Sequence, residues 1–178
     1  MRHLNSNYGG KTFWSFGTSF SRGVGIIFDP RLQFQLLKFK QDDKERLLVV
    51  NIQIETVKYS LVNVYCPNRP SERKTFLLKL KHFLYPSTNF ILRGDFNFVE
   101  NLRKYKIGGN LNKGDLGLKE INILKEDFSI EDVFLNKFPS EVETTWGNGY
   151  VFCRLDRFYV PTPYLKHVIN IEHNALIF

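Results

Sequence analysis

Apolar and polar residues alternate in short blocks along this chain, and the block lengths predict strands more often than helices. Residues 22–28 (RGVGIIF) form a nearly continuous apolar run closed by Asp29 and Pro30, the pattern of a buried strand and a turn. Residues 47–54 (LLVVNIQI) and 59–65 (YSLVNVY) are β-branched runs separated by a short polar stretch. Val50, Ile52 and Ile54 share one face of the first run, and Leu61, Asn63 and Tyr65 share one face of the second, as in an antiparallel hairpin. After the break at Cys66–Pro70, Ser71 is placed to cap a helix whose stripe is Phe76, Leu77, Leu80, Phe83 and Leu84, with Lys74, Lys79 and Lys81 off it. Pro86 closes that helix. Residues 89–92 (NFIL) predict a further strand, and residues 116–126 (LGLKEINILKE) a second amphipathic helix. The last third returns to strands at 151–160 (VFCRLDRFYV), 165–171 and 175–178.

No repeat, low-complexity tract or Pro/Gly-rich linker divides the 178 residues, so residues 1–178 are expected to form one domain. Strands outnumber helices and the helices sit between strand pairs. That order predicts an α+β sandwich of mixed sheets with helices outside, rather than a doubly wound parallel sheet. The core material is ample, with 17 Phe, 8 Tyr and 2 Trp. No apolar run approaches the roughly 18 residues of a membrane span, and the polar start at Met1–Gly10 carries no signal-peptide core. Cys66 and Cys153 form neither a metal-ligand spacing nor a disulfide framework. A soluble intracellular domain without a membrane partner is therefore expected. Lys and Arg exceed Asp and Glu by 25 to 18, a formal charge of +7, which draws phosphates and favours nucleic-acid encounter.

The polar residues that stand just past strand ends are the candidates for chemistry, since loops there are held by a rigid scaffold. Asp95 and Asn97 follow the NFIL strand after a glycine. A carboxylate and an amide at that spacing reach one site, the first to hold a water or divalent cation and the second to orient a phosphate oxygen. Tyr65 and Asn68 end another strand and offer neutral donors to a phosphate. Arg154 and Asp156 fall on one face of the 151–160 strand, where Asp156 can fix the tautomer of a histidine. His173 follows Glu172 near the end of the chain and can act as a general base or stabilise a pentacovalent phosphorane. His3, His82 and His167 lack such a setting.

The order of these signals says more than any one of them. NVYCPN, GDFN about thirty residues later, RLDRFYV, and an acid–His pair near the C-terminus resemble the endonuclease/exonuclease/phosphatase (DNase I-like) superfamily. SRGVGIIF, KIGGN, EDVF and TTW, in that order, make the likeness nearer to the endonuclease domain of non-LTR retrotransposons, over residues 13–178.

The resemblance implies a four-layered α/β/β/α sandwich of two mixed sheets and Mg²⁺-dependent (or Mn²⁺-dependent) hydrolysis of a DNA phosphodiester by an activated water. It implies that Asp95 positions the attacking water and Asn97 orients beside it. It places Tyr65, Asn68, Arg154 and Trp146 against phosphate or DNA, pairs Asp156 with His173, and assigns the metal to Asp95 and Glu172. A monomer is expected that needs no cofactor beyond the metal, nuclear where its target is chromosomal DNA. The superfamily pattern opens with a strand carrying an asparagine and a strand ending in a metal-binding glutamate, whereas the match here begins after both, so a sandwich lacking its first strands is expected. Ile171, Glu172 and His173 stand where the superfamily carries Ser-Asp-His. The alternative reading is a basic nucleic-acid-binding remnant without the chemistry. A phosphoinositide or sphingomyelin substrate is disfavoured by the retroelement-like motifs and by the lack of a membrane-directed amphipathic stretch.

Overall fold

The structure is a computed structural model that describes residues 9–17, 23–84, 89–110 and 117–172. Its centre is a six-stranded mixed sheet in the order β3–β4–β5–β6–β11–β8. These strands are β3 (Gln35–Gln41), β4 (Leu47–Ile54), β5 (Val57–Tyr65), β6 (Asn89–Asp95), β8 (Ile130–Asp132) and β11 (Asp156–Pro161). The β4–β5 hairpin is antiparallel as its alternation predicts, and β5 runs parallel to β6 after a crossover through helix α1 (Pro70–Leu80). β11 returns antiparallel to β6.

Both faces of β4 are buried, which explains why its sequence is apolar almost throughout. Leu47 and Val49 pack with Val62, Val64, Phe90 and Leu92 against Leu77 and Leu80 of α1 and Ile121 and Leu124 of α3 (Leu118–Phe128). Leu48, Val50 and Ile52 face the other way, onto Val24, Phe28 and Phe13 around the antiparallel pair β1 (Thr12–Ser15) and β2 (Val24–Ile27). The result is the α+β sandwich that the strand-rich pattern predicts: helices, main sheet, then a second sheet represented by β1–β2. Two short helices, α2 (Leu102–Tyr105) and α4 (Val133–Lys137), and a small sheet, β7 (Lys106–Ile107), β10 (Phe152–Cys153) and β9 (Trp146–Gly147), complete the regular structure apart from a closing 3₁₀ turn.

Three local expectations are corrected, and one strand is added. The cap of α1 is Arg69, with Pro70 in the first turn supplying a pre-set φ, and Ser71 lies inside the helix. Residues 151–160 are not one strand: β10 and β11 are separated at Arg154–Leu155, so Arg154 and Asp156 do not share a continuous strand face. Residues 165–171 are not a strand either. Thr162–His167 form the 3₁₀ helix, started by the fixed φ of Pro163 within its first turn, and Leu165 is its buried anchor. β3 was not visible as a strand, because its side chains are mostly exposed and carry no period-2 signal. The predicted strand at 175–178 lies outside the described residues.

Candidate active site

The candidate site is built at the ends of β4, β5, β6 and β11, where pairing register lines up residues distant in sequence. Tyr65 on β5 is the register partner of Asp95 on β6, and Asp95 is the partner of Asp156 on β11. Cross-strand partners project to the same face, so a phenol and two carboxylates stand side by side on three adjacent strands. Behind Asp95, Gly94 is required by close approach rather than by a turn. Its φ is +150°, and a Cβ there would stand 1.9 Å from the Val64 carbonyl oxygen.

The GDFN segment divides its four residues between cleft and core. Phe96 and Phe98 are buried and meet edge to face, with ring centroids 6.4 Å apart. Asp95 and Asn97, one step out of phase, stay at the half-buried rim. Asn97 adopts a left-handed backbone (φ 54°), a conformation that Asn tolerates better than most residues. In that conformation its N–H donates to Asp95 Oδ1 at 2.8 Å, and its side-chain amide donates to the Cys66 carbonyl at 2.6 Å. Asn97 thus fixes the Asp95 carboxylate and ties together the ends of β5 and β6.

A buried arginine secures the same junction. Arg73 of α1 donates to the carbonyls of Asn97 (2.6 Å), Asn68 (3.2 Å) and Pro67 (3.3 Å). The side chain of Asn68 itself lies on an exposed residue at the rim. On the β11 side, the Thr145 hydroxyl accepts the N–H groups of Leu155 and Asp156, each at 3.0 Å. Trp146, the next residue, is 45% exposed on β9. Thr145, Arg73 and Arg46 were not singled out in the sequence. The TTW triplet drew attention to Trp146, but a hydroxyl that accepts two N–H groups has no sequence signature.

Burial pushes the Asp95 carboxyl up to about 6, with the neighbouring charge of Asp156 adding to the effect. The Asn97 N–H and the guanidinium groups of Arg157 and Arg73 oppose the rise without cancelling it. Two adjacent carboxylates under such strain suit a divalent cation, because Mg²⁺ is commonly held by one or two carboxylates plus substrate phosphate. Asp95 and Asp156 therefore fit the implied metal. Glu172 is not brought in as a third ligand: among the described residues no group of three or more His, Cys, Asp and Glu side chains forms a metal site. Glu172 is exposed and accepts from the Asn170 amide at 2.7 Å. His173 lies outside the described residues.

Arg154 is also a correction. Its side chain is 1% exposed and grips Asp132 through two bonds, 2.7 and 3.1 Å, instead of facing DNA. Tyr105 and Phe134 flank the guanidinium at 4.6 and 5.3 Å. The chain break at Arg154–Leu155 turns this arginine inward, and the Asp132 carboxylate, which also caps α4, gives it a matching anion.

No family model matches this chain. A curated relative, a 149-kDa uncharacterised protein of transposon TX1 from Xenopus laevis, is 28% identical over 163 residues. The match covers 88% of this chain and 12% of that protein, so the chain spans about an eighth of the relative's length. Among solved structures, the endonuclease domain of TRAS1, a telomere-specific non-LTR retrotransposon, superposes with a TM-score of 0.63 at 16% identity. That match covers 88% of this chain and 67% of the TRAS1 domain. TDP2 of D. rerio, in a complex with a single-strand DNA product, gives a TM-score of 0.55 at 18% identity, over 89% of this chain and 64% of TDP2. The chain has a DNase I-like fold, an architecture it shares with both of these proteins.

Proposed function

We propose that this domain hydrolyses DNA phosphodiester bonds with the help of a divalent metal ion, in the manner of a retrotransposon endonuclease. The observation that carries this reading is the alignment of Tyr65, Asp95 and Asp156 across three neighbouring strand ends. The transposon relative and the net charge of +7 support DNA as the substrate.

Asp95 holds the attacking water and takes its proton. Burial and the neighbouring Asp156 charge raise its affinity for a proton, which favours proton transfer from the water. Asn97 keeps one carboxylate oxygen of Asp95 engaged and leaves the other to face the water. The Tyr65 hydroxyl, which has no partner among the described residues, donates to a phosphate oxygen. Mg²⁺ held by Asp95 and Asp156 would neutralise charge on the phosphate and the leaving oxygen. Arg73 and Thr145 act through the backbone by keeping the two ends of the cleft in register.

A second reading, DNA binding without hydrolysis, is favoured by one observation: among the described residues no third acid joins Asp95 and Asp156. Supercoiled plasmid incubated with the protein and Mg²⁺ separates the two. Hydrolysis predicts nicked circles, lost with EDTA and lost in Asp95→Ala. Equal nicking by Asp95→Ala and the unaltered protein would assign the activity to a contaminant and leave the binding reading standing.

A further inference from the structure

The row of aligned residues has a fourth member. The Tyr65 N–H donates to the Arg46 carbonyl at 2.8 Å, one step beyond the Leu47–Val64 pair, so Arg46 extends the row onto the end of β4. Its guanidinium carbon stands 5.6 Å from the centre of the Tyr65 ring. The order across the cleft is then Arg46, Tyr65, Asp95, Asp156: a cation at one end, two carboxylates at the other, and a phenol between.

Arg46 is poorly satisfied where it stands. Nη1 is shut off from solvent and meets no hydrogen-bond partner among the described residues. Arg154 and Arg157 also leave guanidinium nitrogens without a hydrogen bond. The three buried arginines of the region are nevertheless each anchored to an oxygen through another nitrogen: Arg73 to three carbonyls, Arg154 to Asp132, and Arg157 to the carbonyls of Phe98 and Arg154. The half-buried Arg46 side chain reaches no oxygen among the described residues. Asp42, on the same turn, is committed to the backbone, since its Oδ1 accepts the N–H groups of Arg46 and Leu47 at 2.6 and 2.8 Å. A half-buried guanidinium with no oxygen partner at the rim of a cleft can present its remaining N–H groups to an anion that enters the cleft.

We infer that Arg46 is a substrate-binding residue that holds the phosphate next to the one being cleaved. This rests on the DNA-hydrolysis reading of the same cleft. Arg46 stands two strand spacings, about 10 Å, from Asp95. That is too far to share the phosphate at the carboxylates and suits the neighbouring one on the same strand. The contact is to the backbone, so it strengthens binding without choosing a sequence.

Binding of a fluorescein-labelled 20-base-pair duplex, titrated in EDTA at several salt concentrations, tests the inference without relying on hydrolysis. Arg46→Met is expected to weaken binding several-fold at low salt and to lower the salt slope by about one. Arg46→Lys, which keeps the charge, is expected to retain the slope. A role confined to packing on Tyr65 would lower the melting temperature of Arg46→Met and leave the slope unchanged, and that result overturns the assignment of Arg46 alone. Absence of salt-dependent binding by the unaltered protein overturns the DNA reading and Arg46 with it. Loss of slope in both variants also overturns it, because that pattern reports a disturbed fold.

Discussion

One four-residue motif serves two regions of this molecule that treat charge in opposite ways. Arg154 and Arg157 of RLDR enter the core, while Asp156 faces the cleft. In this part of the core, buried acids stand against cations. Arg154 holds Asp132 at 2.7 Å, and Glu100 accepts from Tyr159 and lies 3.1 Å from Lys125 and 3.8 Å from Arg157. In the cleft Asp95 meets the like charge of Asp156. Glu100 and Asp95 make the contrast quantitative in sign. Burial raises both, but Arg157 and Lys125 outweigh it at Glu100 and hold that carboxyl below its usual value, whereas Asp95 remains raised to about 6. The core resolves the cost of buried charge internally. The cleft leaves it for a ligand to resolve, which is how a site differs from a structural ion network.

The strongest way to break the comparison is to unmatch the core. Arg154→Met leaves Asp132 buried without its cation and is expected to cost about 3–5 kcal/mol in urea unfolding. A loss under 1 kcal/mol would show that the pair is not the structural anchor described.

Opposite pH responses sharpen the contrast next. Asp95 titrates near 6 in the folded protein against about 3.9 in an unfolded chain. Its stabilising contribution is therefore fully present below about pH 4 and lost as pH rises through 6. Asp95→Asn, which cannot ionise, is expected to exceed the unaltered protein in stability at pH 8 by about 1–3 kcal/mol, the gap closing at pH 4. Glu100 has the reverse sign: its contribution is present above about pH 4.3 and lost as pH falls through its lowered midpoint. Glu100→Gln is expected to be less stable than the unaltered protein at pH 8, with the gap narrowing on acidification. Unfolding curves of the two variants that move in the same direction with pH would erase the distinction between cleft and core.

The smallest effect concerns the backbone between the regions. Thr145→Val removes the acceptor of two N–H groups and is expected to cost about 1–2 kcal/mol in thermal unfolding. It is also expected to slow nicking more than it weakens DNA binding, because it loosens Asp156 without removing a positive charge. An unchanged ratio of the two would limit Thr145 to a structural role.

Legibility followed the strength of local constraint. β4 was readable to the residue because both of its faces are buried and its side chains are apolar at all positions but Asn51 and Gln53. β3 escaped notice because exposure leaves its side chains free to vary, and residues 151–160 were read as one strand because the break at Arg154–Leu155 is made by tertiary partners. Asp95, Asn97 and Tyr65 were legible as chemistry-bearing types at strand ends, whereas Asp156, which begins β11, reads from the sequence as the middle of a longer strand. Arg154 belonged to the same motif and went the other way. Arg46 sits in a polar turn sequence, DDKER, with no local feature to separate it from an exposed loop residue.

The sequence by itself determined the apolar strands β4 and β5 and their hairpin, because period-2 alternation and apolar runs are properties of neighbouring residues that burial selects directly. It also determined that an acid, an amide and a phenol stand at strand ends. The tertiary structure alone decided which charges share a cleft and which are matched in the core. Strand order and register set those distances across more than ninety residues, and no local pattern encodes whether a given arginine finds a carboxylate or leaves room for a phosphate.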